Sequence, residues 1–410
     1  MTADKSAPGS ALPGAKPTLK QTLTSKSMII ALVVVFILFS FLTGGRLLYA
    51  QNLSNLLLQN GYVLVMACGM LLCILTGGNI DLSVGSVICL TGGLAAVLMT
   101  NFGWNAFAAI GLCLLVGLAI GMWHGYWIGY VRIPSFITTL TSMFIFRGLG
   151  RLVVDGKTVA IKNQTFSDLF TSYIEIPGLD VVTGEESAYG SPQVWSAVII
   201  GALVVLFLFI MKARSRAQRK RRGYRQNSAW SDYGKTAIIG LLILVYCTFL
   251  SWYRGISVML IWVLAICLIY YFITSKTAVG RHFYAVGGNE KATRLSGINT
   301  SKVYFLAYAS MGLLAGLCGL LLLARVGSVS GQTGTSFEMD AIGSCFIGGA
   351  SAYGGSGTVG GVVIGALLLG VINMGMSIMG IPDSWQYVVK GGVLLVAVVF
   401  GVVSRRRNGG

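Results

Sequence analysis

The chain has 410 residues, 55% of them hydrophobic and only 10% charged, with a formal net charge of +17. That charged fraction is far below the roughly 25% of soluble domains, and a mean hydropathy of +0.77 excludes an ordinary water-soluble fold. The composition specifies an all-α, polytopic transmembrane helical bundle.

Residues 1–27 hold Pro8, Pro13 and Pro17 among Ser, Gly and Lys, the composition of a flexible tail. Apolar blocks then follow near 28–43, 54–77, 82–100, 105–130, 134–152, 194–211, 236–252, 256–274, 303–324, 338–352, 357–379 and 386–403. They predict about twelve spans across a transmembrane domain at 28–403. The first block lacks a small-x-small cleavage site and reads as a retained helix, not a signal peptide. Cations gather in four segments: Lys5 to Lys26, Lys212 to Lys235, Lys276 to Lys302, and Arg405–Arg407 in a short tail at 404–410. Alternating spans put all four on one side, with both termini cytoplasmic by the positive-inside rule. The run KARSRAQRKRR in the 212–235 segment would suggest nucleic acid in a soluble protein. Between spans it reads as a topogenic loop beside membrane lipid, with no nucleic-acid partner.

The same alternation leaves 152–193 as the one sizeable extracytoplasmic segment. It is acidic, with Asp155, Asp168, Glu175, Asp180, Glu185 and Glu186 against Lys157 and Lys162. A docking cap and a passive loop remain equal alternatives there. The eight Cys all lie in apolar blocks without CxxC spacing, and two His exclude a His-based metal cluster. Gly clusters inside spans, as at Gly111, Gly117 and Gly121 and at Gly360, Gly361, Gly365 and Gly370, marking close helix packing or broken helices.

Three polar stretches carry candidate chemistry. At TGGNIDLSVGS, Asn79 and Asp81 interrupt apolar sequence, and Asp81 or Ser83 can cap the next helix. At SFEMDAIGSCFIGGASAYGGSG, Glu338 and Asp340 precede a Gly-rich block in the same pattern, which suggests an internal pseudo-repeat. Intramembrane carboxylates are pathway candidates, and interfacial caps are the plainer alternative. Lys390 reads as a snorkelling side chain. The third stretch, 276–302, holds the hydrophilic island GRHFYAVGGNEKATRLSGINTSK. Its Gly287-Gly288 reads as a turn, Asn289 as an N-cap and Gly297 as a stop, around a helix of about two turns. Ala292, Leu295 and Ile298 recur on one side of it, with Lys291 and Arg294 off that side. A helix this short is unstable alone, so a docking partner is expected. Gly355, Gly357 and Gly360 match G-x-G-x-x-G by accident, and no P-loop, Ser/His/Asp set or HExxH occurs, so no intrinsic enzyme is expected.

Together TGGNIDLSVGS, PSFITTLTSMFIFRG, GRHFYAVGGNEKATRLSGI and MDAIGSCFIGGASAYGGSGTVGG resemble the permease subunit of bacterial ribose/xylose/galactose-type ABC importers, over about 44–403. The length suggests the xylose or multiple-monosaccharide branch. The resemblance implies a multi-pass protein of the bacterial inner membrane. Two permease copies (a homodimer), a separate ABC ATPase carrying ATP and Mg, and an extracytoplasmic sugar-binding protein would form the importer. This chain would bind no cofactor or metal itself. The island would be the coupling loop, with Gly287, Gly288, Asn289, Glu290, Ala292, Leu295, Ser296 and Gly297 at the ATPase. Asn79, Asp81, Ser83 and Asp340 would shape the pathway; Phe136 is an apolar candidate for its lining, with ordinary core packing the plainer alternative. One departure is an extra hairpin before the island, which makes about ten family spans into twelve. Two rival functions remain from the residues alone, an ion-coupled secondary transporter of small polar solutes and a structural or signalling membrane protein.

Overall fold

A computed structural model of the chain describes residues 27–180, 194–224 and 228–409. Most of the expected 1–27 tail, Glu185 and Glu186 of the acidic segment, and Arg225 of the basic one lie outside these. The fold is almost wholly helical, as a bilayer demands of a backbone with no water to bond. In chain order the helices are α1 (Ser27–Leu42), α2 (Ala50–Leu75), α3 (Val84–Thr100), α4 (Ala106–Gly129), α5 (Ser135–Val153) and α6 (Gln164–Thr171). There follow α7 (Trp195–Arg221), α8 (Ala229–Ser251), α9 (Val258–Lys276), α10 (Ala278–Gly288), α11 (Glu290–Leu295) and α12 (Thr300–Val326). The last three are α13 (Phe337–Ile347), α14 (Val359–Ile378) and α15 (Asp383–Gly409). A two-residue antiparallel ribbon, β1 (Val159–Ala160) with β2 (Ser328–Val329), is a small exception.

Helices α2 and α12 form the core, buried along most of their length, with α4, α3, α9 and α14 around them. Lipid offers no hydrophobic drive between helices, so close backbone approach must hold them together. Gly117, Gly121, Gly125 and Gly129 repeat every four residues along one face of α4 and meet α12 there. A methyl group on Gly117 would stand 2.6 Å from the Gly312 carbonyl oxygen, and one on Gly121 2.9 Å from Ala309 Cα. Gly111 and Gly360, by contrast, face open space, so only part of the glycine pattern is a packing device.

Among the described residues eight helices are long and apolar enough to span a bilayer, with α1 and α3 shorter. Two further expected blocks are not among them, the one at 386–403 in α15 and the one at 338–352. Its helix α13 has 11 residues, about 16 Å at 1.5 Å per residue, and cannot cross alone. Gly348 and the left-handed Gly349 (φ +85°) end it, and 351–357 turn back before α14. The two expected breaks meet in space: Gly78 packs on the Ala352 carbonyl, and Gly354 packs on Gly77.

The segment expected as a basic loop at 212–235 is mostly helical. Helix α7 runs on to Arg221, and α8 begins at Ala229. Asp232 closes this hairpin with Lys212 at 3.1 Å and Arg216 at 3.3 Å.

Candidate functional site

The island divides into two helices. Residues 278–288 are helical, so Gly287 and Gly288 end α10 and do not form the expected turn. Phe283 and Val286 of α10 are buried, which ties this supposedly hydrophilic stretch to the bundle. Gly287 has a packing reason: a side chain there would overlap the Leu75 carbonyl and the Gly355 amide. Tyr284 Oη donates to the Gly357 carbonyl at 2.8 Å, adding a second tie to the turn before α14.

Asn289 then caps α11 as its sequence predicts. Its Oδ1 accepts from the Ala292 amide at 2.9 Å, and its carbonyl accepts from the Thr293 amide and, at 2.8 Å, from the Thr293 hydroxyl. Gly297 ends the helix in the left-handed region at φ +83°, with its amide on Arg294 and the Ile298 amide on Thr293. Thr293 faces inward and is buried. Ala292 and Ser296 are exposed, and Leu295 is 82% exposed. The apolar side chain of this helix therefore points away from its own bundle.

Glu290 points inward. Arg132 donates to its Oε1 at 2.5 Å and Tyr304 Oη to its Oε2 at 2.9 Å. Arg132 also donates to Thr300 Oγ1 at 2.9 Å and Ser301 Oγ at 3.2 Å, and lies over the Tyr304 ring. Partial burial acts to raise the Glu290 carboxyl. The bonds from Arg132, Tyr304 and Thr300, with the charge of Arg132, outweigh it and hold the group below the usual glutamate range. Within this chain Glu290 therefore anchors α11, in a role the coupling expectation did not give it. Arg132 and Tyr304 escaped sequence reading. The only signal was an arginine in the short link between α4 and α5, two residues before Pro134, where it adopts φ +69°.

The first break forms a polar knot. Asp81 Oδ1 accepts from the Ser83 amide at 2.8 Å and hydroxyl at 2.7 Å, which fixes the turn leading into α3, while Ser83 stands at the N-cap position and neither side chain bonds a helix amide. Ser135 donates to Asn79 Oδ1 at 2.9 Å, and Tyr308 Oη to the Ile80 carbonyl at 3.3 Å. The other Asp81 oxygen lies 3.7 Å from Nδ1 of fully buried His124, a residue to which the sequence alone assigns no role in this knot. Phe136 is exposed at the start of α5 and joins neither this knot nor Asp340 through any hydrogen bond or ring contact among the described residues.

Asp340 lies apart from that knot. It is buried in the first turn of α13, and Lys390 of α15 pairs with it at 3.0 Å. Lys390 does not snorkel. The pair borders a cavity of about 230 Å³ with Ser336, Met339, Leu369 and Tyr387. No metal-binding group of His, Cys, Asp and Glu occurs among the described residues.

The sequence that folds into this bundle is matched by a family model. The model described as branched-chain amino acid transport system / permease component matches residues 52–247 and 225–398. The chain belongs to this family. A permease component is a transport subunit, not an enzyme, and with its apolar spans this permease is a multi-pass protein of the inner membrane. The xylose transport system permease protein of Escherichia coli K12 is 36% identical over 381 residues, 93% of this chain and 92% of that one. Its counterpart in Haemophilus influenzae is 36% identical over 380 residues, 93% and 96% of the two chains. The ribose import permease protein of Escherichia coli K12 is 32% identical over 380 residues, 93% and 94%. No solved structure matches the chain.

Proposed function

We propose that this permease forms the translocation pathway of an ATP-driven importer of pentose or hexose monosaccharides and is driven by a separate ATPase docked on α11. The sugar class follows the relatives, xylose and ribose permeases matched along nearly their full length. The observation that carries the coupling is Leu295. It is exposed on a helix whose polar cap and inward Glu290 fix it against the bundle, so an apolar side chain is presented that the described residues of this chain leave uncovered. Two permease copies, the ATPase with its ATP and Mg, and an extracytoplasmic sugar-binding protein would complete the importer. The α10–α11 end would then be cytoplasmic, and the 152–193 segment would face the binding protein. ATP binding would draw the α11 helices together and rock the halves around the Asn79–Ser83 and Asp340 breaks. Family membership favours this reading over an ion-coupled transporter or a signalling protein.

The test is Leu295→Glu in the importer reconstituted with its ATPase and binding protein. Burying a leucine is worth about 1.5–3 kcal/mol, so the ATPase should bind about 10- to 150-fold more weakly. Sugar-stimulated ATP hydrolysis and uptake should fall together, while the purified variant keeps its elution and melting behaviour. Unchanged uptake would overturn the docking role of α11.

A further inference from the structure

The α7–α8 hairpin has no part in the coupling or pathway just described. At about 1.5 Å per residue, the 27 residues of α7 are about 40 Å long, some 10 Å more than the hydrocarbon core of a bilayer. Twenty residues from Trp195, itself at home at an interface, bring the helix to Arg214. Ser215 then stands at the hydrocarbon edge, with Arg219 and Arg222 about 6 and 11 Å further along the axis. Helix tilt shortens these depths to those of the headgroup layer.

Between 212 and 222 the chain carries seven cations. Asp232 takes Lys212 and Arg216, and Arg216 also lies over the Tyr233 ring, so these two hold the hairpin together. Arg219 and Arg222 have no acidic partner within ion-pair distance among the described residues. The end of α7 then folds back on itself. The Arg222 amide bonds Gln218, the Gly223 amide bonds Lys220 with Gly223 at φ +72°, and the Tyr224 amide returns to the Arg219 carbonyl at 3.1 Å. This return sets Tyr224 beside a concavity of about 560 Å³ lined by Ser215, Gln218, Arg219 and Arg222. The lining offers two guanidinium forks, two hydroxyls and an amide, and no carboxylate. Such a set suits an anion with several acceptor oxygens, as guanidinium pairs with phosphate do. Exposed Trp230 at the start of α8 and Tyr224 are the side chains expected at headgroup level.

We propose that Ser215, Gln218, Arg219, Arg222 and Tyr224 form a built site for the phosphate of an anionic phospholipid headgroup, which holds the basic end of the extra membrane-crossing hairpin at the membrane surface. Arg214, Lys220 and Arg221 lie outside the concavity, which distinguishes it from a diffuse basic field.

The experiment uses the purified full-length chain in nanodiscs of phosphatidylcholine with or without phosphatidylglycerol, and reads lipid retained after transfer to detergent by native mass spectrometry. Wild type should retain phosphatidylglycerol in preference to phosphatidylcholine. Arg219→Ala with Arg222→Ala should weaken retention about thirtyfold or more. Arg214→Ala with Arg221→Ala, the same loss of charge, should weaken it by less than about fivefold. Arg219→Lys with Arg222→Lys keeps the charge and the fold and should fall between, since the forks are lost. Equal loss in both alanine pairs would overturn the proposal in favour of a diffuse field. Displacement of the lipid by millimolar inorganic phosphate would overturn it in favour of a free-anion site. Phosphatidylglycerol retention unchanged by Arg219→Ala with Arg222→Ala, where the same pair of substitutions weakens binding of the ATPase subunit, would overturn it in favour of a protein-docking patch.

Discussion

Arg132 and Glu290 stand 158 residues apart in the chain, yet Nη1 of one lies 2.5 Å from Oε1 of the other. The pair links the α4–α5 turn to the first residue of α11, and Tyr304 shares both partners. The side chains are 39% and 37% exposed, so solvent screening limits the pair to about 1 kcal/mol despite its good geometry. Arg132→Ala should therefore loosen α11 without unfolding the bundle. Amide exchange at Ala292–Gly297 should quicken about fivefold while exchange in α12 stays unchanged. A matching rise in α12 would show that the pair supports the whole fold and not this helix alone.

The same anchor sets a pH dependence. The folded carboxyl of Glu290 lies below its unfolded value of about 4.3, so its stabilisation is fully present above that value and is lost as pH falls through the folded one. A spin label on Ser296→Cys, an exposed position at the end of α11, should show constant mobility from pH 8 to about 5 and rising mobility below about 4. Glu290→Gln should be mobile throughout and should remove the transition.

Much of this architecture was legible because hydropathy is local, and the spans, the Asn289 cap and the Gly297 stop each rest on residues close in sequence. What escaped depends on residues far apart. Hydropathy placed a block at 338–352 but could not see that Gly349 turns the chain after 11 residues of helix. Lys390 read as snorkelling because its partner Asp340 lies 50 residues away on another helix. The basic stretch read as a loop because its charges argued against lipid, although lysine and arginine are good helix formers and α7 simply continues to Arg221.

The glycine pattern divides into positions that packing requires and positions it does not. Gly312→Ala would place Cβ 2.5 Å from Gly121 Cα, so α4 and α12 must move apart. Overpacking of this kind costs about 1–3 kcal/mol, and more where backbone faces backbone. Gly111→Ala meets nothing within 4 Å and gains helix propensity, so its melting temperature should equal or exceed that of the parent. Melting temperatures in one detergent would decide, and equal losses for both variants would show that the α4–α12 contact is not the reason for these glycines.

Asp340 and Lys390 join the half-helix α13 to the last helix, α15, which among the described residues meets chiefly α13 and α14. The Asp340 side chain is 4% exposed and that of Lys390 is 23% exposed, so each charge depends on the other. Removing one partner of a buried pair costs about 3–5 kcal/mol, because the other is left uncompensated. Lys390→Met should therefore destabilise the permease more than the double variant Asp340→Asn with Lys390→Met, in which no charge remains. A double-mutant cycle on melting in detergent should give a coupling of about 2 kcal/mol or more, above the additive error of independent sites. The cavity beside the pair sharpens the expectation. If water reached Asp340 through it, the carboxylate would be solvated without Lys390 and the single variant would cost almost nothing. The low exposure of Asp340 argues for the larger loss, and a coupling below about 0.5 kcal/mol would show that α13 and α15 are held by packing alone.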